Sequence, residues 1–372
     1  MGKYYVGING TNVICNGEYF DGYISAYPIG EKGNISYFDV SNPSEKLDEA
    51  QFHIWVKEQI KNILDDDPNA RFTYFNKKMA DVCSFLPKEN LEGHNDWDLL
   101  DFLNDKYRIR RHLSHRIKML DYLNLKGKNV DYKLLVERLE GNEFVIQGRT
   151  GSGGLTTHFI RNDCDLEKLK LEDETIYSMS AYQENLPINT TLLVAKSNVV
   201  QLPTSVQLIK NTGNFIYTGG DFVMPKRFNT KVTEQIELYN NVIGKELQKL
   251  GYRGICGVDY IICPNGSVKF MELNPRYQGS SFLLSMAMKN IGTSIARLNA
   301  ECFSSESVSG PNIDVDRSFV NCKKESDYLN LGAPDEVIKK VEHSTFRKIY
   351  NRSICLEDTF ERPNDLTSIC CM

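Results

Sequence analysis

The stretch that decides the fold is GVDYIICPNGSVKFMELNPR, residues 257–276. It predicts two short strands joined at the turn signal Pro264-Asn265-Gly266. Pairing around this turn brings Asp259 alongside Glu272, and the two-residue period of a strand puts Asn274 on the same face as Glu272. The stretch therefore predicts a hairpin that carries three oxygen-bearing side chains side by side.

These three side chains form a candidate metal site. Two carboxylates about 4 Å apart repel each other by roughly 4 kcal/mol at an effective dielectric constant near 20, so a cation must offset them unless one is protonated. Mg²⁺ prefers one or two carboxylates together with the phosphate oxygens of a substrate. We therefore predict that Asp259, Glu272 and Asn274 hold Mg²⁺ or Mn²⁺ beside a nucleotide. The alternative is a surface hairpin with ordinary polar positions, which would be preferred for a lone Asp or Glu.

A glycine-rich loop, GRTGSGG at residues 148–154, joins two further predicted strands, Phe144–Gln147 and Thr156–Ile160. Its free backbone N–H groups and its serine hydroxyl could wrap a phosphate, so we predict a flap. The loop lacks the Gly-Lys-Ser/Thr ending of a Walker A motif, and no helix follows it as in a dinucleotide-binding fingerprint. The chain also lacks the His-Arg-Asp and Asp-Phe-Gly motifs of protein kinases. By itself, the loop fits a plain flexible connection equally well.

Composition excludes several classes of function. The 372 residues suffice for two or three lobes, and 41% hydrophobic with 25% charged residues is ordinary for a globular protein. A net charge of -5 gives no footprint for nucleic acid, and no apolar run long enough to cross a membrane is present. The ten cysteines form no Cys-x-x-Cys pair, and the N-terminus has no signal peptide. We therefore expect a cytoplasmic protein without nucleic-acid or membrane partners.

The rest of the chain predicts an α/β (α+β) protein. The strand Tyr4–Ile8 is followed by Asn-Gly turn signals at 9–10 and 16–17, which predict an N-terminal hairpin. We interpret the basic run Arg108–Arg111 as a solvated helix face, the pair His112 and His115 as structural, and Cys370-Cys371 as a frayed tail. The other predicted elements are helices at Ala50–Leu64, Asp105–Leu123, Thr233–Leu250 and Ser281–Leu298, and strands at Arg71–Phe75, Leu192–Ala195 and Val199–Leu202.

From about Asp105 to Ser281, close to half of the chain, the sequence resembles the ATP-grasp superfamily. The hairpin block 257–276 is its strongest element, and Asp105-Lys106 resembles the Asp-Lys that opens the nucleotide-binding region. The resemblance implies three lobes, with the nucleotide in a cleft between two α+β subdomains. It divides the chain into an N-terminal α/β domain, a small subdomain with the flap, a large subdomain with the metal site and a C-terminal appendage, at residues 1–104, 105–183, 184–305 and 306–372.

The resemblance also implies roles for individual residues. Asp259, Glu272 and Asn274 would hold the metal, and Arg276 would steady the reacting carboxylate or acyl phosphate. Gln147 stands where the family usually has Lys, and Arg149 is a candidate to replace the missing charge. The implied ATP-binding residues, from the phosphates to the adenine and ribose, are Lys106, Gln147, Arg149, Gly151, Ser152, Gly153, Gly154, Gln183, Glu184, Leu186 and Asn189.

The implied activity is that of an ATP- and Mg²⁺-dependent ligase. It would activate the carboxylate of an amino acid or related small acid as an acyl phosphate and join it to an amine, releasing ADP and phosphate. A second reading has the thiol of an acyl-carrier protein as acceptor, and the flap and hairpin do not separate the two. A third reading, favoured by Gln147, is an inactive nucleotide-binding regulator. An adenylating ligase, which would release AMP and pyrophosphate, is a further alternative, and a homodimer is compatible with all of them.

Overall fold

A computed structural model describes most of the chain. The described residues are 1–7, 19–25, 35–37, 48–74, 76–151, 156–211, 215–322, 333–340, 345–355 and 369–370. Within these ranges, no helix combines the length and the apolar composition that crossing a bilayer requires. The mixed helices and sheets confirm the predicted α/β fold class.

The N-terminal lobe is a parallel sheet in the order β3-β2-β1-β4. Its strands are β1 (Lys3–Gly7), β2 (Gly22–Ser25), β3 (Ile35–Tyr37) and β4 (Arg71–Tyr74). Because β1 pairs with β2 in parallel, the predicted N-terminal hairpin is wrong. Parallel neighbours need a crossover rather than a tight turn. The two Asn-Gly signals lie outside the described residues.

Helix α1 (Glu49–Asp66) confirms the predicted helix and covers this sheet. Asp48 caps its N-terminus by accepting hydrogen bonds from the N–H groups of residues 50 and 51. Phe52, Val56 and Ile60 recur every four residues and are fully buried, so they share the face that packs on the sheet.

Two short helices, α2 (Lys77–Val82) and α3 (Trp97–Asn104), lead into α4 (Lys106–Leu113). The carboxylate of Asp105 caps α4 by accepting hydrogen bonds from the next turn. Helix α4 ends at Leu113, so the predicted helix up to Leu123 is too long. Residues 114–122 instead form a loop whose Lys118 carbonyl accepts a hydrogen bond from the Phe270 N–H.

The strands that follow, within the predicted small subdomain, form an antiparallel sheet in the order β5-β8-β6-β7. Its elements are β5 (Leu123–Lys126), α5 (Tyr132–Leu139), β6 (Phe144–Gly148), β7 (Thr157–Ile160), α6 (Asp163–Glu167) and β8 (Ile176–Ala181). Pairing of β6 with β7 confirms the two strands predicted around the glycine-rich loop. A separate core of Leu135, Phe144, Ile146 and Met179 holds this subdomain together.

A large, mainly antiparallel sheet follows in the order β14-β13-β9-β11-β12-β15-β17-β16, with β10 paired to β9. Its strands are β9 (Leu186–Val194), β10 (Val199–Gln201), β11 (Ser205–Asn211), β12 (Phe215–Asp221), β13 (Gly254–Ile262), β14 (Val268–Asn274), β15 (Ser318–Cys322), β16 (Glu336–Lys340) and β17 (Thr345–Tyr350). The last three strands continue the sheet that carries the hairpin. The predicted domain boundaries stay a prediction.

Helices pack on both faces of the large sheet. Helix α7 (Thr230–Lys249) covers one face, and α8 (Ser281–Asn290) and α9 (Ile295–Ser304) cover the other. Strand β9 is buried on both faces, because Leu192 and Val194 pack in the core on the side of α7, while Leu193 packs in the core on the side of α8 and α9. Gly251 takes φ 85° just after α7, as predicted for its C-terminal end. The predicted helix Ser281–Leu298 is in fact two helices, which turn at Gly292 with φ 72°.

The C-terminal tail departs from its prediction. Cys370 is only 9% exposed, and its backbone forms an isolated antiparallel β-bridge with Phe228. The carbonyl of Ile369 accepts a hydrogen bond from the N–H of Asn229. The tail is therefore packed at Cys370, not frayed, whereas Cys371 lies outside the described residues.

Candidate functional site

The hairpin β13–β14 aligns the predicted metal ligands. In its register Asp259 faces Glu272 and Gly257 faces Asn274, and a register shift follows directly after Asp259. A bulge of this kind re-aims side chains, which is common beside functional sites. The structure thus brings Asp259, Glu272 and Asn274 together as the turn signal predicted.

Asp259 is the centre of a polar cluster. Its Oδ1 accepts hydrogen bonds from the amides of Asn189 at 2.6 Å and Gln207 at 2.9 Å, and its Oδ2 accepts one from Asn274 at 2.9 Å. Burial raises the pKa of Asp259, and the negative charge of Glu272 raises it further. Carboxylates in such a pair disfavour each other's ionised form, so the pair is suited to a cation.

Glu272 has a cationic partner from α4. Lys106 Nζ lies 2.7 Å from Glu272 Oε2, and the Lys106 side chain is only 9% exposed. Burial acts to raise the pKa of Glu272, but Lys106, Arg110 and Arg276 outweigh burial, so the pKa is lowered. Glu272 is therefore held as a carboxylate.

Asn274 lies between the two carboxylates. Its Nδ2 donates to Asp259 Oδ2 and, at 3.3 Å, to Glu272 Oε1, while its Oδ1 accepts from Arg276 Nη2 at 2.9 Å. The amide N–H groups thus point where a cation would sit. A half-turn of the amide would present Oδ1 to the carboxylates instead, and the choice between these two orientations follows the hydrogen-bond network. With that turn, two carboxylates and one amide oxygen fit the hard-ligand preference of Mg²⁺.

Arg110 is a site residue that the sequence analysis assigned to a solvated face. It is 5% exposed, donates from Nη2 to Gln147 Oε1 at 2.7 Å, and donates from Nε to the Met271 carbonyl at 2.7 Å. That interpretation is wrong for Arg110, since four residues separate it from Lys106 and put both on one side of α4. The guanidinium brings a positive charge to the position where Gln147 lacks one.

Arg149 is engaged elsewhere. Its guanidinium pairs with Asp105, and its carbonyl accepts a hydrogen bond from the Lys106 N–H at 2.9 Å. These contacts fasten the start of the flap to the cap of α4. Neither Arg149 nor Gly151 lines the cavity described next, and Ser152, Gly153 and Gly154 lie outside the described residues.

A cavity of about 910 Å³ lies between the four-stranded sheet of β5–β8 and the large sheet. The link between β8 and β9 contributes Gln183 and Glu184 to its wall, and Leu186 adds an apolar surface. Asn189 is 3% exposed and donates to Asp259, while its predicted contact with a ribose stays a prediction. Most of the predicted site residues line this one cavity: Lys106, Gln147, Gln183, Glu184, Leu186, Asn189, Asp259, Glu272, Asn274 and Arg276.

Residues missed by the sequence analysis complete the cavity wall. Gln207 and Gln278 both donate to Asp259 Oδ1, Gln278 at the longer distance of 3.4 Å. From the last strands come Asn321 and Arg347, whose Nε donates to Asn321 Oδ1 at 3.0 Å. Gln278 had a local signal, two residues after Arg276. Asn321 and Arg347 had none, because only the long-range pairing of β12 with β15 and of β15 with β17 brings them here.

Comparison with known proteins agrees with this geometry. Residues 103–280 match the family model described as the ATP-grasp domain. Comparison with curated protein sequences gives no match. This match agrees with the resemblance to the ATP-grasp superfamily that the sequence predicted from about Asp105 to Ser281.

Solved structures show the same fold over most of the chain. An ADP complex of the N5-carboxyaminoimidazole ribonucleotide synthetase purK has 13% identity and a TM-score of 0.65, covering 95% of this chain and 93% of its own. Biotin carboxylase from Campylobacter jejuni has 14% identity and a TM-score of 0.64, with 91% and 80% covered. The biotin carboxylase domain of Hydrogenobacter thermophilus 2-oxoglutarate carboxylase has 17% identity and a TM-score of 0.62, covering 87% of this chain and 74% of its own. Identities this low establish the fold, not the reaction.

Proposed function

We propose that this protein is an ATP- and Mg²⁺-dependent ligase that activates a small carboxylic acid as an acyl phosphate and joins it to an amine. The observation that carries the proposal is the convergence of Asp259, Glu272 and Asn274 with Lys106 and Arg276 on one cavity. Mg²⁺ held by the first three would neutralise the phosphates during transfer. The structural relatives in complex with ADP or an ATP analogue support a nucleotide in this cleft.

The protein's own residues account for the remaining requirements. Lys106 brings positive charge to the cavity wall, and Arg110 lies behind that wall, where Gln147 fixes its orientation. Arg276, whose Nη1 donates to the Tyr277 carbonyl at 3.1 Å and which lines the same cavity, would face the carboxylate as negative charge develops. The cleft between two subdomains lets closure exclude water from an acyl phosphate that water would hydrolyse.

Arg110 bears on the alternative of an inactive regulator. That alternative depended on the loss of a lysine at position 147. Since the Arg110 guanidinium lies 2.7 Å from Gln147 Oε1, a cation remains at this position. The observation favours a working phosphate site, so the ligase is the function we put forward.

The proposal is tested by phosphate release. The full chain would be incubated with Mg-ATP and each common amino acid, singly and in pairs, and ADP and phosphate measured. We expect substrate-dependent ADP formation, and Glu272→Ala should abolish it because a metal ligand is lost. Glu58→Ala, an exposed position on α1, is the matched control and should retain full turnover.

The products separate the remaining readings. An amide detected by mass supports an amine acceptor, whereas a product attached to a carrier protein's pantetheine thiol identifies the thiol reading. AMP and pyrophosphate would indicate an adenylating ligase. ATP binding without ADP formation under every substrate mixture would favour the inactive regulator. Unchanged turnover in Glu272→Ala would refute the assignment of the metal site.

A further inference from the structure

A second cavity lies behind the part of the first cavity's wall that Gln147 forms. It has a volume of about 840 Å³ and is formed by the last turn of α4, the loop 114–122, and parts of β5, β8, β14 and α7. The two cavities share Leu120 in their walls, and Arg110 lines the second cavity while it hydrogen-bonds Gln147 in the first.

The wall of this second cavity is strongly basic. We call it the basic cavity and define it by Arg110, Arg111, His115, Arg116, Lys118 and Lys269. Asp121 is the acidic residue in the same wall. Arg116 is paired with Glu246 at 3.2 Å. In the described part of the chain, Arg110, Arg111, Lys118 and Lys269 have no carboxylate within salt-bridge distance.

Main-chain contacts bring two of these basic positions, Lys118 and Lys269, near each other. The hydrogen bond from the Phe270 N–H to the Lys118 carbonyl, at 2.9 Å, fastens the loop to β14 directly beside Lys269. Met119 and Phe270 form a bridge at the same place. The main chains of Lys118 and Lys269 are thus held near each other, and both residues line the cavity. Like charges gathered in one cavity favour an anion there.

Arg110 is the buried member of the basic cavity. It is 5% exposed, its Nε and Nη2 have acceptors, and its Nη1 is itself buried without an acceptor among the described residues. Arg110 therefore adds positive charge to the wall rather than a donor that a ligand would reach. Stacking over Tyr122, with the guanidinium carbon 3.9 Å from the ring centroid, holds this group in place.

We propose that the basic cavity is a second ligand site, which binds a phosphate-bearing small molecule. Several cations with a single acid in one cavity wall suit the clustered negative oxygens of a phosphate better than a lone carboxylate. Guanidinium groups match phosphate geometry, and the lysines add point charges. The proposal stands whether or not the protein proves to be a ligase.

The test is calorimetric titration of the full chain with pyrophosphate at constant ionic strength. We expect binding that weakens at least tenfold in Lys118→Ala/Lys269→Ala. The double variant Lys61→Ala/Lys289→Ala changes net charge equally at exposed positions and should bind as tightly as wild type. Lys106→Ala, which damages the first cavity, should still bind pyrophosphate.

Titration with inorganic phosphate and with glycerol 3-phosphate separates the two sources of such a ligand. Tighter binding of the ester indicates an organic phosphate, and equal binding indicates free phosphate. Absence of binding by all three probes would overturn the proposal. So would equal weakening in the two double variants, or loss of binding in Lys106→Ala alone, because the anion would then occupy the first cavity.

Discussion

The buried contact between Arg110 and Gln147 makes a quantitative prediction for Gln147→Lys. The two side chains are 5% and 7% exposed, and the hydrogen bond joins a guanidinium to an amide oxygen at 2.7 Å. Losing a hydrogen bond to a charged group costs about 1.5–3 kcal/mol. Two cations about 4 Å apart repel by about 1 kcal/mol in water and about 4 kcal/mol at an effective dielectric constant of 20. We expect a destabilisation of about 3 kcal/mol in the absence of nucleotide.

Thermal unfolding measures this effect. An unfolding entropy of about 2.1 cal/mol/K per residue gives roughly 1.3 °C per kcal/mol for 372 residues, so the midpoint of Gln147→Lys should fall by roughly 4 °C. Adding Arg110→Gln to Gln147→Lys restores one cation and one amide, so the double variant should be more stable than Gln147→Lys alone. Arg111→Gln, at the exposed neighbouring position, is the control and should leave the midpoint unchanged. A Gln147→Lys midpoint within 2 °C of wild type, or a double variant no more stable than Gln147→Lys, would refute the reasoning.

Three other changes test neighbouring contacts. Lys106→Met removes the cation 2.7 Å from Glu272, so ATP affinity measured by calorimetry should fall at least about tenfold. Gly257→Ala would put a Cβ 1.9 Å from the Gln278 side chain and displace it from Asp259, so turnover should drop while circular dichroism stays unchanged. Tyr277→Phe removes a buried hydroxyl that has no partner among the described residues, so stability in urea should rise by about 1 kcal/mol.

Local signals in the sequence predicted the elements that are local in the structure. The hairpin around residues 264–266 and the end of α7 at Gly251 follow from turn and capping chemistry. The N-terminal lobe did not follow. Strand β1 pairs in parallel with a strand that begins at Gly22, and a strand pattern does not reveal whether its neighbour runs parallel or antiparallel.

The site residues likewise divide into those that a local sequence signal predicts and those that long-range strand pairing places. Asp259, Glu272 and Asn274 were predictable because one turn sets their register. Arg110 had a signal in its four-residue spacing from Lys106, but its charge favoured an exposed interpretation. Asn321 and Arg347 reach the cavity only through the pairing of β12 with β15, across more than 90 residues, and of β15 with β17, which one sequence does not encode locally.

The charges around Glu272 indicate how metal and nucleotide would bind. Lys106, Arg110 and Arg276 all lower its pKa, so three cations act on this carboxylate. A divalent cation entering alone would meet the repulsion of all three. A triphosphate offsets that repulsion and supplies the remaining oxygen ligands. We therefore expect the metal to bind weakly by itself and tightly together with ATP, because the metal ion and the triphosphate each offset the charges that oppose the other.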